Sequence, residues 1–266
     1  MNRFHALPLA LGFAIALGAC SDSTTPVAQL VSDSTITADV AISSGDAIAS
    51  TLETMAGNEI ATGLATSGSS VQASLLANSP DVTRSRTCYD VNGAVVSNCI
   101  PLSSVRKIVT HVVVNGSRSG SATTTGGTTK TWSGAVHRTS DDTLTRNFTG
   151  STETSRTHSD VATGHDTTMF SEGELSRNVA ESVRDSVKAV TWNMPRSSNP
   201  WPVSGSIVRV DTVHVTVTKG SQLQSRDVVR NVSVTFPADA QGNVVLTING
   251  KTCNLNLVTH VVSGCQ

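Results

Sequence analysis

The chain has 266 residues and a formal charge of −1 at pH 7, with 15% charged and 3% aromatic residues. That balance leaves no electrostatic footprint for nucleic acid. The aromatics beyond residue 20 (Tyr89, Trp132, Phe148, Phe170, Trp192, Trp201 and Phe236) are too scattered for a stacking groove that grips single strands or glycans. Ser and Thr make up roughly a quarter of the sequence and Val leads the apolar residues, a composition that favours pleated strands.

The N-terminus carries an address. Arg3 supplies a short positive region, and Leu7 to Leu17 form an apolar run too short to span a bilayer but of signal-peptide proportions. Small Gly18 and Ala19 then precede Cys20. The stretch Leu17-Gly18-Ala19-Cys20 resembles the lipobox of bacterial lipoproteins, a likeness confined to residues 1 to 20. The resemblance implies diacylation of the Cys20 thiol with palmitate-type chains, cleavage before it and acylation of the new amino terminus. Several acyl chains, at about 0.8 kcal/mol per buried methylene, make such an anchor effectively permanent. Ser21 directly after the cysteine implies sorting to the outer membrane, on its periplasmic face or at the cell surface. The mature chain of about 247 residues is long enough for one sizeable domain or two small ones.

Four further cysteines, Cys88, Cys99, Cys253 and Cys265, fit the same oxidising compartment. An even number there reads as two disulfides with three connectivities, of which Cys88–Cys99 and Cys253–Cys265 join near neighbours across plausible turns. A zinc site would need C-x-x-C spacing, which is absent.

In chain order, Ser21 to about Asp33 reads as a tether. Ser43, Ser44 or Asp46 is expected to cap a helix over Ala47, Ile48, Leu52, Met55 and Ala56, stopped at Gly57-Asn58, with a further turn at Ile60–Leu64 and a second short helix at Val71–Ala77. Strands begin at Cys88. Asn92-Gly93 predicts a hairpin that sets Cys88 opposite Cys99. Val105–Asn115 reads as a central strand ended by Asn115-Gly116. From Ser117 to Glu174 the alternation is between polar residues, and short meander strands are expected with turns at Asp141-Asp142 and a loop over 161–166; such strands specify register weakly. Residues 175–192 are predicted as a strand on composition, although Val179, Val183, Val187 and Val190 also suit a helix. Asn193–Pro202 is a proline loop between Trp192 and Trp201. Strands then follow at Val203–Thr218 and Arg226–Phe236, with a hairpin around Asn249-Gly250.

The expected architecture is mainly β: an antiparallel up-and-down sheet, curved, open or half-barrel-like, with one or two short N-terminal helices packed on it. The divisions are signal peptide 1–19, lipidated Cys20 and tether 20–35, helical segment 36–80 and β domain 81–266.

No catalytic motif stands out. Ser104-Val-Arg-Lys107 matches Ser-x-x-Lys but sits in strand-like surroundings rather than at a helix start. His158, Asp160, His165 and Asp166 are the densest set of metal-ligand types, yet their spacing does not present two imidazoles to one ion. His111, His137, His214 and His260 are read as ordinary strand histidines. Asp141-Asp142 and Glu172/Glu174 are paired carboxylates in expected turns, where nothing desolvates them. No cofactor is implied, and the expected partners are the membrane, through the lipid, and an envelope protein or apolar ligand. Three functions fit: a non-enzymatic envelope module, a carrier of a lipid or other apolar ligand in a half-barrel, and a metal-dependent hydrolase using the His158–Asp166 set. The shape of the sheet discriminates the first two.

Overall fold

The computed structural model describes residues 30–64, 81–123 and 129–265. One helix, α1 (Asp33–Ala61), is followed by β1 (Asp81–Tyr89), β2 (Val95–Val96), β3 (Lys107–Thr123), β4 (Thr129–Thr149), β5 (Thr152–Glu172), β6 (Leu175–Asn193), β7 (Ser204–Lys219), β8 (Gln222–Thr235), β9 (Asn243–Ile248), β10 (Lys251–Asn256) and β11 (Val262–Ser263). The strands form one sheet in the order β11-β10-β9-β8-β7-β6-β5-β4-β3-β1-β2, every neighbour antiparallel, with β11 and β2 at its two unjoined edges. No helix among the described residues is long and apolar enough to cross a membrane.

Helix α1 differs from the expectation in both length and start. It begins ten residues before Ser43, where Ser32 Oγ accepts from the Thr35 N–H and caps the first turn. It runs through Gly57-Asn58 and stops at Thr62. The expected helix at 71–77 lies outside the described residues, as does Cys20.

The helix is buried nearly all round, and four consecutive residues show why. Ser43 donates to Glu181 on β6, Ser44 to Asp211 on β7, Gly45 packs on Leu246, Leu255 and Val262 of β9, β10 and β11, and Asp46 meets His260. Successive helical residues point about 100° apart. A flat sheet could meet one or two of these directions; meeting all four requires a sheet that curls around the helix. The flank toward β8–β10 is apolar, with Ile36, Val40, Ile48 and Leu52 in one cluster with Val232, Val234, Leu246, Ile248 and Leu255. The flank toward β4–β7 is ionic.

The polar stretch 117–174 forms two strands of 21 residues rather than a series of short ones. Asp141-Asp142 and residues 161–166, expected as a turn and a loop, are mid-strand, and β3 passes straight through Asn115-Gly116. Strand β3 lies near an edge, with only β1 and β2 beyond it among the described residues. Residues 175–193 are a strand, and Val179, Val183 and Val187 share its inward face. At the last hairpin Asn249 and Gly250 both have positive φ (47° and 85°), as a type I′ turn demands.

Both cysteine pairs are joined, Cys88 to Cys99 and Cys253 to Cys265. The register differs from the expected one: Cys88 faces Val96, and Cys99 returns to it through a short 3₁₀ turn at Ser97–Cys99.

Gly45 is where the helix touches the sheet most closely. An added Cβ would overlap Val262 and lie 3.3 Å from Leu255 Cδ1. Gly45→Leu is expected to lower unfolding free energy by about 3 kcal/mol in urea titration, through overpacking. Gly57→Ala, where only the Arg84 Nη2 at 3.2 Å is near, should be neutral or stabilising by up to about 1 kcal/mol.

Candidate functional site

Strand parity decides which charged residues enter the interior. On β5 the side chains of Arg156, His158, Asp160 and Asp166 point inward and are buried, whereas His165 points out and bonds Ser182 Oγ. The set His158, Asp160, His165 and Asp166 is therefore divided between the two faces of one strand. Among the described residues no group of three or more His, Cys, Asp or Glu is arranged to hold a metal ion. His111, His137 and His214 also lie on the outer face, against Asp141, Asn115 and Asp227. His260 is not in a strand, as had been expected; it sits just before β11 and joins Asp46 (2.9 Å) to Glu53 (2.5 Å) on α1. Ser104 lies in a turn and Lys107 is exposed at the start of β3, so the Ser-x-x-Lys match assembles nothing.

The inward charges form three clusters along α1. Near its start, Asp39 pairs with Lys130 of β4 and with Arg177 of β6 (2.5 Å), both cations lying over the Phe170 ring. In the middle, Arg209 of β7 is fully buried among four carboxylates. Its Nη2 lies 3.2 Å from both Asp166 and Glu181, its Nη1 3.3 Å from Asp185, and its Nε 2.6 Å from Asp211, the last a contact without hydrogen-bond alignment. Arg138 adds a second guanidinium against Asp166 and Asp185. Burial, with more carboxylates than guanidinium groups, pushes Glu181 and Asp211 above the usual carboxylate range; burial also disfavours the Arg209 charge, but its four carboxylates outweigh that and keep it protonated.

At the far end, His158 lies between Asp142 (Nδ1, 3.0 Å) and Glu59 (Nε2, 3.0 Å), with its ring edge to Trp192. Burial alone would lower the imidazole's pKa, but the two carboxylates outweigh it and raise it to about 9. Burial would likewise raise Glu59; the bond from His158 and the guanidinium groups of Arg196 and Arg156 instead hold it at about 2. At neutral pH the imidazolium donates both N–H groups. It has no lone pair left to act as a base or metal ligand.

A recess of about 850 Å³ opens where the two edges of the sheet fail to meet over the second half of α1. Residues of β1 and β3 wall one side and His260, beside edge strand β11, contributes from the other; inward residues of β4, β5 and β6 form its floor. The described lining carries six carboxylates (Asp46, Glu53, Asp81, Asp142, Asp160 and Asp185) against Arg84, Arg138 and His260. Most of these are satisfied within the protein. Asn58 donates to Asp142 and accepts from Arg84, Arg138 and Arg209 take Asp185, and His260 takes Asp46 and Glu53. Asp160 differs: it is 7% exposed, and its Oδ1 is buried without a hydrogen-bond partner. Burial, followed by the like charges of Asp142, Asp185 and Asp141, raises it to about 7.

Reading the sequence missed most of this set, including Asp39, Glu59, Asp142, Arg177, Glu181, Asp185, Arg209 and Asp211. The signal was the recurrence of charges of both signs at inward positions of consecutive strands, on the same face as Val179, Val183 and Val187.

These shifts fix a pH profile. Asp160 holds a proton in the folded state up to about 7 against 3.8 unfolded, so its ionisation erodes stability as pH rises between those values. Protonated His158 and His260 contribute fully below 6.5, and that contribution is lost as pH rises to about 9. Glu59 contributes above 4.5, and its share is lost as pH falls toward 2. Thermal unfolding should therefore be highest near pH 5 and lower at pH 9. Glu59→Gln, which leaves His158 with Asp142 and Arg156 with Glu153 as their remaining carboxylates and removes the pair to Arg196, should cost about 3 kcal/mol at pH 7 by chemical denaturation.

In comparisons with protein-family models, with curated proteins and with solved structures, nothing matches this chain.

Proposed function

We propose that this protein is a non-enzymatic binding module of the bacterial envelope, held at the outer membrane by lipid on Cys20. The observation that supports this reading best is the contrast between a filled interior and an open recess with a mixed lining. The space inside the curled sheet is occupied by α1 and its ion pairs, and the recess that remains sets carboxylates and guanidinium groups among apolar residues such as Met55, Val114 and Val136. An acyl chain laid there would cover Asp160, whose Oδ1 has no hydrogen-bond partner, so the recess supports an apolar carrier less well than a polar recognition site. Hydrolysis gains none either, since the buried imidazole is protonated and fully engaged. The outer face, with Thr, Ser and single histidines in exposed rows, suits a solvated surface.

The anchor is tested by fractionation. Cys20→Ser is expected to move the protein from the membrane fraction to the soluble fraction with its thermal unfolding unchanged; a variant that stays with the membrane overturns the lipid tether. The binding role is tested by cross-linking in intact envelopes followed by pull-down. Recovery of a specific envelope partner is expected, whereas hydrolytic turnover by purified protein without any partner overturns the reading.

A further inference from the structure

The seam recess has one feature that the folded chain itself does not use. Asp142 and Asp160 face each other across β4 and β5, and the next inward pair is Ser140 and Ala162. Both side chains are short and leave room beside the two carboxylates. The space is bounded by Asp142 and Arg138 on β4, Asp160 on β5 and Asp185 on β6, with Met55, Ala56 and Asn58 of α1 across from them. Asp142 is neutralised by His158 and Asn58, and Asp185 by Arg209 and Arg138. The Asp160 carboxyl takes a backbone bond from Asp141, but its Oδ1 has no hydrogen-bond partner, although the residue is only 7% exposed.

A buried carboxylate oxygen without a donor is costly to fold around, and such groups in native proteins call for an explanation. A cation from outside the chain would supply one. A divalent metal does not fit, because it needs several free oxygen or nitrogen ligands, and no such group occurs among the described residues. An anion does not fit beside three carboxylates. A primary ammonium does: it is compact, it carries three N–H donors, and it can bond Asp160 Oδ1 beside the Ser140 hydroxyl. From Asp142 the recess continues along β4 past Arg138 and Val136 to Trp132, ten residues or about 33 Å of strand, with Val114 of β3 beside it. That is a channel for an elongated stem.

We propose that the seam recess binds an elongated ligand ending in a primary ammonium group, with the ammonium on Asp160 between Ser140 and Ala162 and the stem lying along β4. This inference rests on the reading of the protein as a binding module and specifies what that module recognises. The ammonium can come from a free alkyl diamine or from the lysine side chain of a peptide.

The test uses the full chain, titrated calorimetrically with 1,5-diaminopentane and, separately, with Nα-acetyl-lysine methylamide. Saturable binding of at least one is expected, and the stronger of the two identifies the source. Asp160→Asn should weaken that binding at least tenfold. The same substitution should raise the melting temperature of the unliganded protein, because it removes a carboxylate crowded by Asp142 and Asp185; a merely structural aspartate would lower it. Ala162→Leu, which fills the space without altering charge, should also abolish binding. The proposal is overturned if neither amine binds saturably, if Asp160→Asn binds as tightly as the parent, or if potassium chloride at matched ionic strength reproduces the heat. A chain that still captures its envelope partner while binding neither amine overturns this inference alone and leaves the binding-module reading in place.

Discussion

The interior of this protein depends on a helix that the sheet touches from nearly every side, and on the charges that let a polar helix sit there. Over Asp39–Asp46, α1 carries Asp39, Ser43, Ser44 and Asp46 as well as valine, alanine and isoleucine. None of these polar groups could be buried against valines without large desolvation costs. Each instead meets a residue of the right chemistry on the sheet or beside its edge: Asp39 meets Lys130 and Arg177, Ser43 meets Glu181, Ser44 meets Asp211 and Asp46 meets His260. Such buried pairs contribute little net stability compared with an apolar core. What they contribute here is position, because each polar helix residue has its matching partners at one place along the sheet.

The same charges answer a difficulty posed by the strands themselves. Thr- and Ser-rich strands pair almost equally well in several registers, since both faces look alike. A one-residue slip of β7 would carry Arg209 and Asp211 to the solvent face, leaving Glu181 buried without its guanidinium and Asp166 and Asp185 with Arg138 alone. Two slips in succession would restore the face but displace every pair by two residues. The ion lattice thus selects among registers that the threonines leave nearly degenerate.

Fold class was legible in the sequence because it rests on local signals. Alternation on β7, the Asn-Gly turn at 249–250 and the spacing of the cysteines each predicted its own piece of the antiparallel sheet. The lengths of β4 and β5 were hidden by Asp141-Asp142 and Gly164, which look like turn and loop residues. In the structure they are held in long strands by pairing on both sides, and Gly134 and Gly164 are crossed so closely by Thr167 and His137 carbonyls that a side chain would not fit. The recess was not legible at all. Its lining comes from five strands and one helix, and Asp160 is singled out by what its neighbours already bind. Glu181 and Asp185, which seemed to interrupt a valine face, belong to that face because their countercharge arrives from β7.

The order of the chain gives the all-round burial of α1 a kinetic meaning. The helix is made first, yet its partners come last: Leu30 bonds Gln224 across 194 residues, and Asp46 bonds His260 across 214. Closing such contacts demands a large loss of chain entropy before any of it is repaid, which places the protein among slow folders. An isolated polar helix of 29 residues has no face it can bury until the sheet exists. Strands β3 to β8 pair with their neighbours in sequence and can form hairpins as they are made, whereas α1 has nothing to bury against on its apolar flank until β9 and β10 arrive.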